Sequence, residues 1–222
     1  MRKPGCIVLF LIISLGCTNL KKENYPPHWW KVVTDKNTPR WEVLPQVGEP
    51  GKTVILSKRN ELGLLSNFAK TPFEYMGKKY NSLEGAWQGM KYPENSNDHR
   101  FKSINIKWKY SRQEVEKMVG FEAKRAGSLA SKNMKKLKIN WVSYNGKKMT
   151  YRTTRKGDHY QLIYKLMKEK LLQNPGVRKV LMSTGDLKLL PDHHTKKNSS
   201  PAWKYNQIWM EIRSKIKRNV NL

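Results

Sequence analysis

Cysteine is scarce in this chain of 222 residues: only Cys6 and Cys17 occur, both near its start. A disulfide framework or a thiolate metal site needs several cysteines spread along the fold. Histidine is also scarce, and the adjacent pair His193 and His194 lacks a third ligand at metal-binding spacing. We therefore expect neither a metal nor a cofactor.

The chain has little continuous hydrophobic sequence at its start. The apolar run from Cys6 to Leu15 has ten residues, whereas spanning a bilayer takes about 20. A basic start, this short run and the ending Leu15-Gly16-Cys17 resemble a bacterial lipoprotein signal. We predict a signal peptide over 1–16, lipidation at Cys17 and a polar tether over 17–40. A plain apolar leader is the alternative.

This leader predicts a location. A lipidated protein would sit at the bacterial cell envelope, anchored to the membrane and facing the periplasm. If the leader is not a working signal, the expected location is the cytoplasm.

Acidic residues are few: 17 Asp and Glu stand against 44 Lys and Arg, a formal charge of +27. The excess is concentrated between residues 100 and 156, which hold 17 basic residues and three glutamates. Such a balance favours an anionic partner: nucleic acid, a nucleotide phosphate or an anionic lipid. A solvated lysine-rich surface accounts for it equally well.

Hydrophobic patterning predicts the fold class. Thr53 to Leu56 is typical of a strand, and Phe73 to Tyr80 of a hairpin turning at Gly77. Amphipathic spacing and capping residues predict the helices, which we place over 82–92, 112–118, 121–132, 160–173, 177–182 and 203–217. The sequence thus predicts one α+β domain over 41–220, predominantly helical, with short N-terminal strands.

The segment SLEGAWQGMKY carries polar residues where a helix would carry an apolar stripe. Glu84, Trp87, Gln88 and Lys91 stand at i, i+3, i+4 and i+7, so they share one face of a helix. Two plainer interpretations stay open: Glu84 and Lys91 as solvent-exposed charges, and Trp87 as a core residue.

This face belongs to an ordered set of short motifs. They are Leu65-Ser66-Asn67-Phe68, Pro72-Phe73, Gly77, Ser82-x-Glu84 with Gln88 and Lys91, Phe121 to Gly127, Lys170 to Pro175, Thr184-Gly185-Asp186, Pro191 to His194, Pro201 to Asn206 and Trp209 to Arg213. Together they resemble the NADAR (YbiA-like) family of N-glycosidases. The resemblance implies a YbiA-like fold and cleavage of a ribose–base bond. The implied substrates are a ribosylamino-pyrimidine phosphate of riboflavin synthesis and ADP-ribose attached to guanine.

Such cleavage develops positive charge at the anomeric carbon, which an ionised carboxylate stabilises. Glu84 is the candidate. Lys91 has two possible roles: a neutral amine that attacks this carbon and forms an imine, or a cation that donates to the leaving base or a phosphate. Asp192 is the candidate second carboxylate, which positions or deprotonates water.

The remaining candidates would bind substrate. A tryptophan ring can stack on the base, amides can bond the ribose or the base edge, and basic side chains can bind phosphate. We assign substrate binding to Asn67, Phe68, Trp87, Gln88, Lys58, Arg59, Lys124, Arg125 and Trp203. For the four basic residues, plain surface charge is an equally good interpretation.

Two functions therefore compete. The first is an N-glycosidase, expected to be a monomer, acting on a phosphorylated riboside or an ADP-ribosyl adduct. The second is a lipid-anchored basic protein that binds nucleic acid or another polyanion and whose glycosidase site is vestigial.

Overall fold

Helices carry most of the regular structure in the computed structural model, which describes residues 24–103 and 105–219. The helices are α1 Leu83–Gly89, α2 Arg112–Glu116, α3 Gly120–Lys136, α4 Asp158–Gln173, α5 Pro175–Ser183 and α6 Tyr205–Lys217. The strands are β1 Thr53–Ile55, β2 Phe73–Tyr75, β3 Lys78–Tyr80, β4 Trp141–Tyr144, β5 Lys147–Thr150 and β6 Lys188–Leu190. The predicted α+β class with a single domain is confirmed.

The strands form three two-stranded sheets, two of them hairpins. β2 and β3 turn at Met76 and Gly77, both at positive φ, as predicted for Gly77. β4 and β5 turn in the same way at Asn145 and Gly146. Two consecutive residues at positive φ match the twist of a tight hairpin. The predicted N-terminal strands are therefore present, but half of the strands in the described ranges lie beyond residue 140.

β1 pairs in parallel with β6, in the register Thr53 to Lys188. Just beyond this pair, Val43 N donates to the Asp192 carbonyl at 2.9 Å, and Glu42 forms an antiparallel bridge with His193. The two ends of the domain are thus held together beside Asp192.

α1 is shorter than the predicted helix over 82–92. Ser82 caps its start, with Oγ accepting from Gly85 N at 2.9 Å. Beyond its end, the Met90 carbonyl accepts from Arg100 Nη1 at 2.9 Å, and Arg112 Nη2 donates to the Tyr92 carbonyl at 2.6 Å. These two buried guanidinium groups satisfy carbonyls beyond the last helical turn. The helix therefore ends at Gly89, where these arginines take over the hydrogen bonding, and not at Pro93.

Glycine lets α2 lie directly against α1. A Cβ at Gly85 would be 2.6 Å from the Met118 carbonyl oxygen, and one at Gly89 would be 2.8 Å from Glu116 Cγ. Side chains at either position would push the two helices apart. The backbone contact brings α1 into the centre of the molecule, so its polar face is buried.

Part of the segment predicted as a tether packs on the domain. Trp29 is 1% exposed and its Nε1 donates to Glu61 at 2.7 Å, while Trp30 Nε1 donates to the Thr53 carbonyl at 2.8 Å. The structured region therefore starts well before residue 41. The predicted signal peptide over 1–16 and Cys17 lie outside the described residues. In the ranges given above, no helix has the length and apolar character that crossing a membrane requires.

Lys170 on α4 is fully buried. Its Nζ donates to the Ser66 carbonyl at 2.8 Å and lies 5.9 Å from the ring centre of Trp209. Burial lowers the pKa of this amine to about 7. A group whose pKa falls on folding holds fewer protons in the folded state, so it makes stability rise with pH between the two pKa values.

We predict that Lys170→Met removes this pH dependence. In the native protein, the free energy of unfolding gains from Lys170 as pH rises from about 7 towards the ordinary lysine pKa of about 10.4. The free energy of unfolding of Lys170→Met, relative to that of the native protein, should therefore be highest at neutral pH and should fall towards pH 10. Urea unfolding across this range measures it. Lys165→Met, at an exposed position of α4, is the control. A difference between Lys170→Met and native protein that stays constant with pH would contradict the prediction.

Candidate functional site

A backbone hydrogen bond joins Glu84 in the first turn of α1 to Asn67, which precedes the β2–β3 hairpin. Glu84 N donates to the Asn67 carbonyl at 2.9 Å, and the preceding Ser66 carbonyl is held by the buried Lys170. Asn67 Oδ1 is buried without a hydrogen-bond partner among the described residues. Because buried polar atoms are nearly always paired, this amide oxygen is available to a ligand or an ordered water.

Glu84 is 4% exposed, and one of its carboxylate oxygens accepts from Gln88 Nε2 at 2.7 Å. Gln88 is itself 1% exposed and lies against the backbone of α3 at Gly127. A Cβ at Gly127 would sit 1.7 Å from Gln88 Oε1. Only glycine at 127 therefore leaves room for the Gln88 amide, which orients Glu84.

Opposing effects act on the Glu84 carboxylate. Burial raises its pKa, and this outweighs the positive charge of Lys124, the hydrogen bond from Gln88 and the charges of Lys91 and His193. The carboxylate is therefore poorly solvated, and three cationic or titratable side chains lie within electrostatic reach of it. A desolvated carboxylate interacts strongly with any positive charge that develops beside it.

Lys91 lies two residues beyond the end of α1 and is 8% exposed. Its Nζ donates to Ser131 Oγ at 3.1 Å and lies 5.3 Å from the Trp87 ring centre. Burial lowers the pKa of Lys91 to about 8; Glu84 opposes this, while Lys124 and Arg152 add to it. The interpretation of Glu84 and Lys91 as exposed charges is therefore wrong: both are buried.

Trp87 packs against the core but is not fully buried. It is half-buried at the edge of the core, with its ring centre 5.6 Å from that of Tyr151 and 4.5 Å from that of His159. His159 is 2% exposed, and neither ring nitrogen has a partner among the described residues. Burial, with a smaller effect from Lys91, lowers the pKa of His159 to about 3, so its imidazole is neutral.

Asp192 lies in a second polar group and is 2% exposed. It forms an ion pair with Lys58, contacts His193 Nδ1 at 3.0 Å and accepts from the Tyr205 hydroxyl at 3.4 Å. Burial raises the pKa of Asp192, but the hydrogen bonds from His193 and Lys58 outweigh it, so the pKa is lowered. Asp192 is therefore an ionised, fully engaged carboxylate.

An exposed aromatic cluster adjoins Lys58. The Phe68 and Phe121 rings meet edge to face with centres 5.1 Å apart, and Trp41 packs on Phe121 at 5.8 Å. Lys58 Nζ lies 5.2 Å from the Phe68 ring centre and 5.7 Å from that of Trp41. Trp41 is 43% and Phe121 50% exposed. Flat ring surface beside a cation suits a phosphorylated aromatic ligand.

The other four residues that the sequence predicted to bind substrate do not contact Glu84, Lys91 or Asp192 among the described residues. Arg59 forms a bidentate ion pair with Glu42, in which Nε and Nη2 each donate to one carboxylate oxygen at 2.7 Å. Lys124 is exposed on α3, one turn from Phe121, and acts on Glu84 electrostatically. Arg125 and Trp203 are exposed, and among the described residues neither makes a hydrogen bond or ring contact with this group.

Some members of the site were not predicted from the sequence. Ser131 on α3 stands outside every motif. Gly127 ends one of the motifs, but no local signal links it to Gln88 on α1. Trp41 stands outside every motif. The orientation of His193 could have been suspected from its neighbour Asp192, because an aspartate commonly fixes a histidine tautomer.

Two surface clefts lie elsewhere. They have volumes of about 340 and 470 Å³ and share Glu94 and Asn95 in their linings. Neither is lined by Glu84, Lys91 or Asp192. They have mixed charge, with acidic and basic side chains in each, and we assign the candidate site to the α1 region on its chemistry.

Comparison with known proteins adds one structural neighbour. No protein-family model matches the chain, and no curated protein sequence matches it. Among solved structures, the NMR structure of the E. coli protein YbiA is similar, with 18% sequence identity and a TM-score of 0.47. The similarity covers 76% of this chain and 86% of the YbiA chain. At these values it carries no information on activity, which has to come from the residues themselves.

We predict that Gly127→Ala destabilises the protein. The new methyl group would overlap the Gln88 amide, and overpacking of this kind costs about 1–3 kcal/mol. That outweighs the helix preference of alanine over glycine, about 1 kcal/mol at most. Thermal unfolding measures the change.

Gly176→Ala is the matched control. Gly176 is also helical, but its added Cβ would approach Leu64 Cδ1 only to 3.9 Å. This variant should keep or raise the melting temperature. Equal melting temperatures for the two variants would contradict the close contact between Gly127 and Gln88.

Proposed function

We propose that this protein is an N-glycosidase that hydrolyses the bond between a ribose carbon and a base nitrogen. The observation that carries the proposal is that Glu84 and Lys91 are both buried, in one cluster of polar side chains. Burying a carboxylate and an amine costs several kcal/mol. A structural role would offset that cost with a direct ion pair, whereas the side chains that bond these two among the described residues are Gln88 and Ser131.

Glu84 supplies the negative charge opposite the anomeric carbon. As the C1′–N bond lengthens, positive charge spreads over C1′ and the ring oxygen, and a carboxylate in a water-poor site stabilises it more than the neutral ground state. The Gln88 amide fixes one carboxylate oxygen, which leaves the other for the substrate.

Lys91 serves as the nucleophile in this proposal. With a pKa of about 8, about half of the amine is neutral at pH 8, against less than about 1% for a lysine of ordinary pKa. Its attack on C1′ displaces the base and leads to an imine, which water then hydrolyses. The alternative is that protonated Lys91 donates to the leaving base or holds a phosphate.

Substrate recognition follows from the surroundings. The half-buried Trp87 can offer a ring face to the base. Asn67 Oδ1, which has no hydrogen-bond partner in the described part of the chain, can accept from a hydroxyl or amino group. Lys124 and Lys58 stand beside the site and suit a phosphate. The resemblance to the NADAR family suggests a ribosylamino-pyrimidine phosphate or an ADP-ribosylated guanine as substrate. With lipidation at Cys17, catalysis would take place at the cell envelope.

We predict that Glu84→Gln lowers turnover by at least about 10²-fold, comparable to the loss of one preorganised electrostatic group. The amide keeps the shape but not the charge, so stability should change little. Release of free base from candidate ribosides measures turnover. Glu122→Gln, an exposed acid at the start of α3, should behave like the native protein. Full activity of Glu84→Gln would remove α1 from the catalytic centre.

We predict that turnover rises with pH through about 8, because Lys91 must lose its proton to attack. Borohydride added during turnover should trap a covalent adduct on Lys91, visible by mass spectrometry. Lys91→Arg keeps the charge but cannot supply a neutral amine, so it should be inactive. Lys135→Ala, at an exposed position of α3, is the control. Turnover that falls above pH 8, with Lys91→Arg active and no adduct, would assign Lys91 to leaving-group or phosphate contact.

Salt dependence separates this function from simple polyanion binding. Non-specific binding of nucleic acid weakens about 10³–10⁵-fold between 50 and 200 mM salt when 6–10 phosphates are contacted. Turnover of a small riboside should change far less. Nucleic-acid binding with that salt slope and no base release from any riboside would favour the basic binding protein instead.

A further inference from the structure

His193 is held in one orientation by its neighbours. Its Nδ1 lies 3.0 Å from Asp192 Oδ1, and its ring lies parallel to that of Tyr205, at 10° with centres 6.1 Å apart. The backbone is fixed as well, by the bridge between His193 and Glu42 and by the bond from Val43 N to the Asp192 carbonyl. Such support is characteristic of a residue whose ring direction matters.

The other ring nitrogen is free to act. Because Nδ1–H donates to the Asp192 carboxylate, Nε2 of the neutral ring carries a lone pair. The His193 side chain is 42% exposed, and no hydrogen bond to Nε2 occurs among the described residues. His193 also lies within electrostatic reach of Glu84, whose carboxylate it acts on together with Lys124 and Lys91. An oriented, accessible base thus lies within electrostatic reach of the carboxylate assigned to the anomeric carbon.

We propose that His193 Nε2 is the general base that activates the hydrolytic water, with Asp192 as the residue that orients it. This rests on the proposed N-glycosidase function. The sequence predicted that Asp192 itself positions or deprotonates this water. In the structure both Asp192 oxygens are engaged, by Lys58 and by His193, and the lowered pKa of the carboxylate makes it a weak base.

The proton balance is simple. Heterolysis of C1′–N leaves the electron pair on the base nitrogen, which then requires one proton. Water adds to C1′ and loses one proton to His193 Nε2 as the C–O bond forms, and Asp192 stabilises the resulting imidazolium. If water displaces the base directly, the imidazolium returns this proton to the base nitrogen. If Lys91 displaces the base, the proton that Nζ loses on attack goes to the base nitrogen, and the imidazolium later returns the water proton to Nζ as the C1′–Nζ bond breaks. The net reaction consumes one water and requires no oxidant or reductant.

The test compares full-length native protein with His193→Ala, His194→Ala and Asp192→Asn, on whichever of the two substrate kinds the native protein cleaves. His194 is exposed and stands next to His193, so it is the matched control. We expect His193→Ala to lose about 10²–10⁴-fold in kcat, the usual contribution of a general base, with KM little changed. Added imidazole should restore part of that kcat, because the vacated position is open to solvent. Asp192→Asn should also lower kcat, and His194→Ala should match the native protein.

Each outcome decides a different point. Native kcat in His193→Ala, or a lowered kcat that imidazole does not restore at unchanged melting temperature, overturns the role of His193. If His193→Ala unfolds, His193→Gln takes its place, and native kcat in that variant likewise overturns the role. A native protein that releases no base from any riboside overturns the N-glycosidase function itself, which is a separate failure.

Discussion

The contact between α1 and α3 at Gly127 is the constraint on which the candidate site depends. The Gln88 amide lies where a side chain at 127 would be, and from that position it donates to Glu84. The carbonyl of the same glycine lies 3.5 Å from Lys91 Nζ, and Ser131 one turn later accepts from that amine. One close backbone approach therefore positions both the carboxylate and the amine.

This chain, with a charge of +27, buries cations in three different ways. Arg100 is fully buried but ion-paired with Asp98, so the cost of its burial is offset by charge. Lys170 donates to a carbonyl, and burial lowers its pKa to about 7, which favours the neutral amine. Lys91 lies between these cases, with Glu84 close enough to oppose the effect of burial. A lysine whose pKa is lowered only part of the way is better suited to a reaction than to stabilising the fold.

Local sequence predicted the elements that depend on neighbouring residues. The hairpin at Gly77 and the helices α4 and α6 agree with their patterns, and the turn at Asn145-Gly146 carries a strong hairpin signal that the prediction overlooked. The parallel pairing of β1 with β6 was not predictable, because it joins segments at opposite ends of the domain. The end of α1 was also misplaced, since arginines outside the helix terminate it.

The sequence by itself determined the α+β class and the grouping of Glu84, Trp87 and Gln88, because helical periodicity places such residues on one side of α1. Lys91 lies beyond the end of this helix, and its place beside them depends on the fold. Only the tertiary structure decided that Glu84 and Lys91 are buried, that Asp192 is engaged by Lys58, and that His193 directs Nδ1 to Asp192. Burial and pairing arise from segments that meet only in the folded chain. Reactivity depends on the local dielectric and on the charges nearby, which no spacing of residues along the sequence specifies.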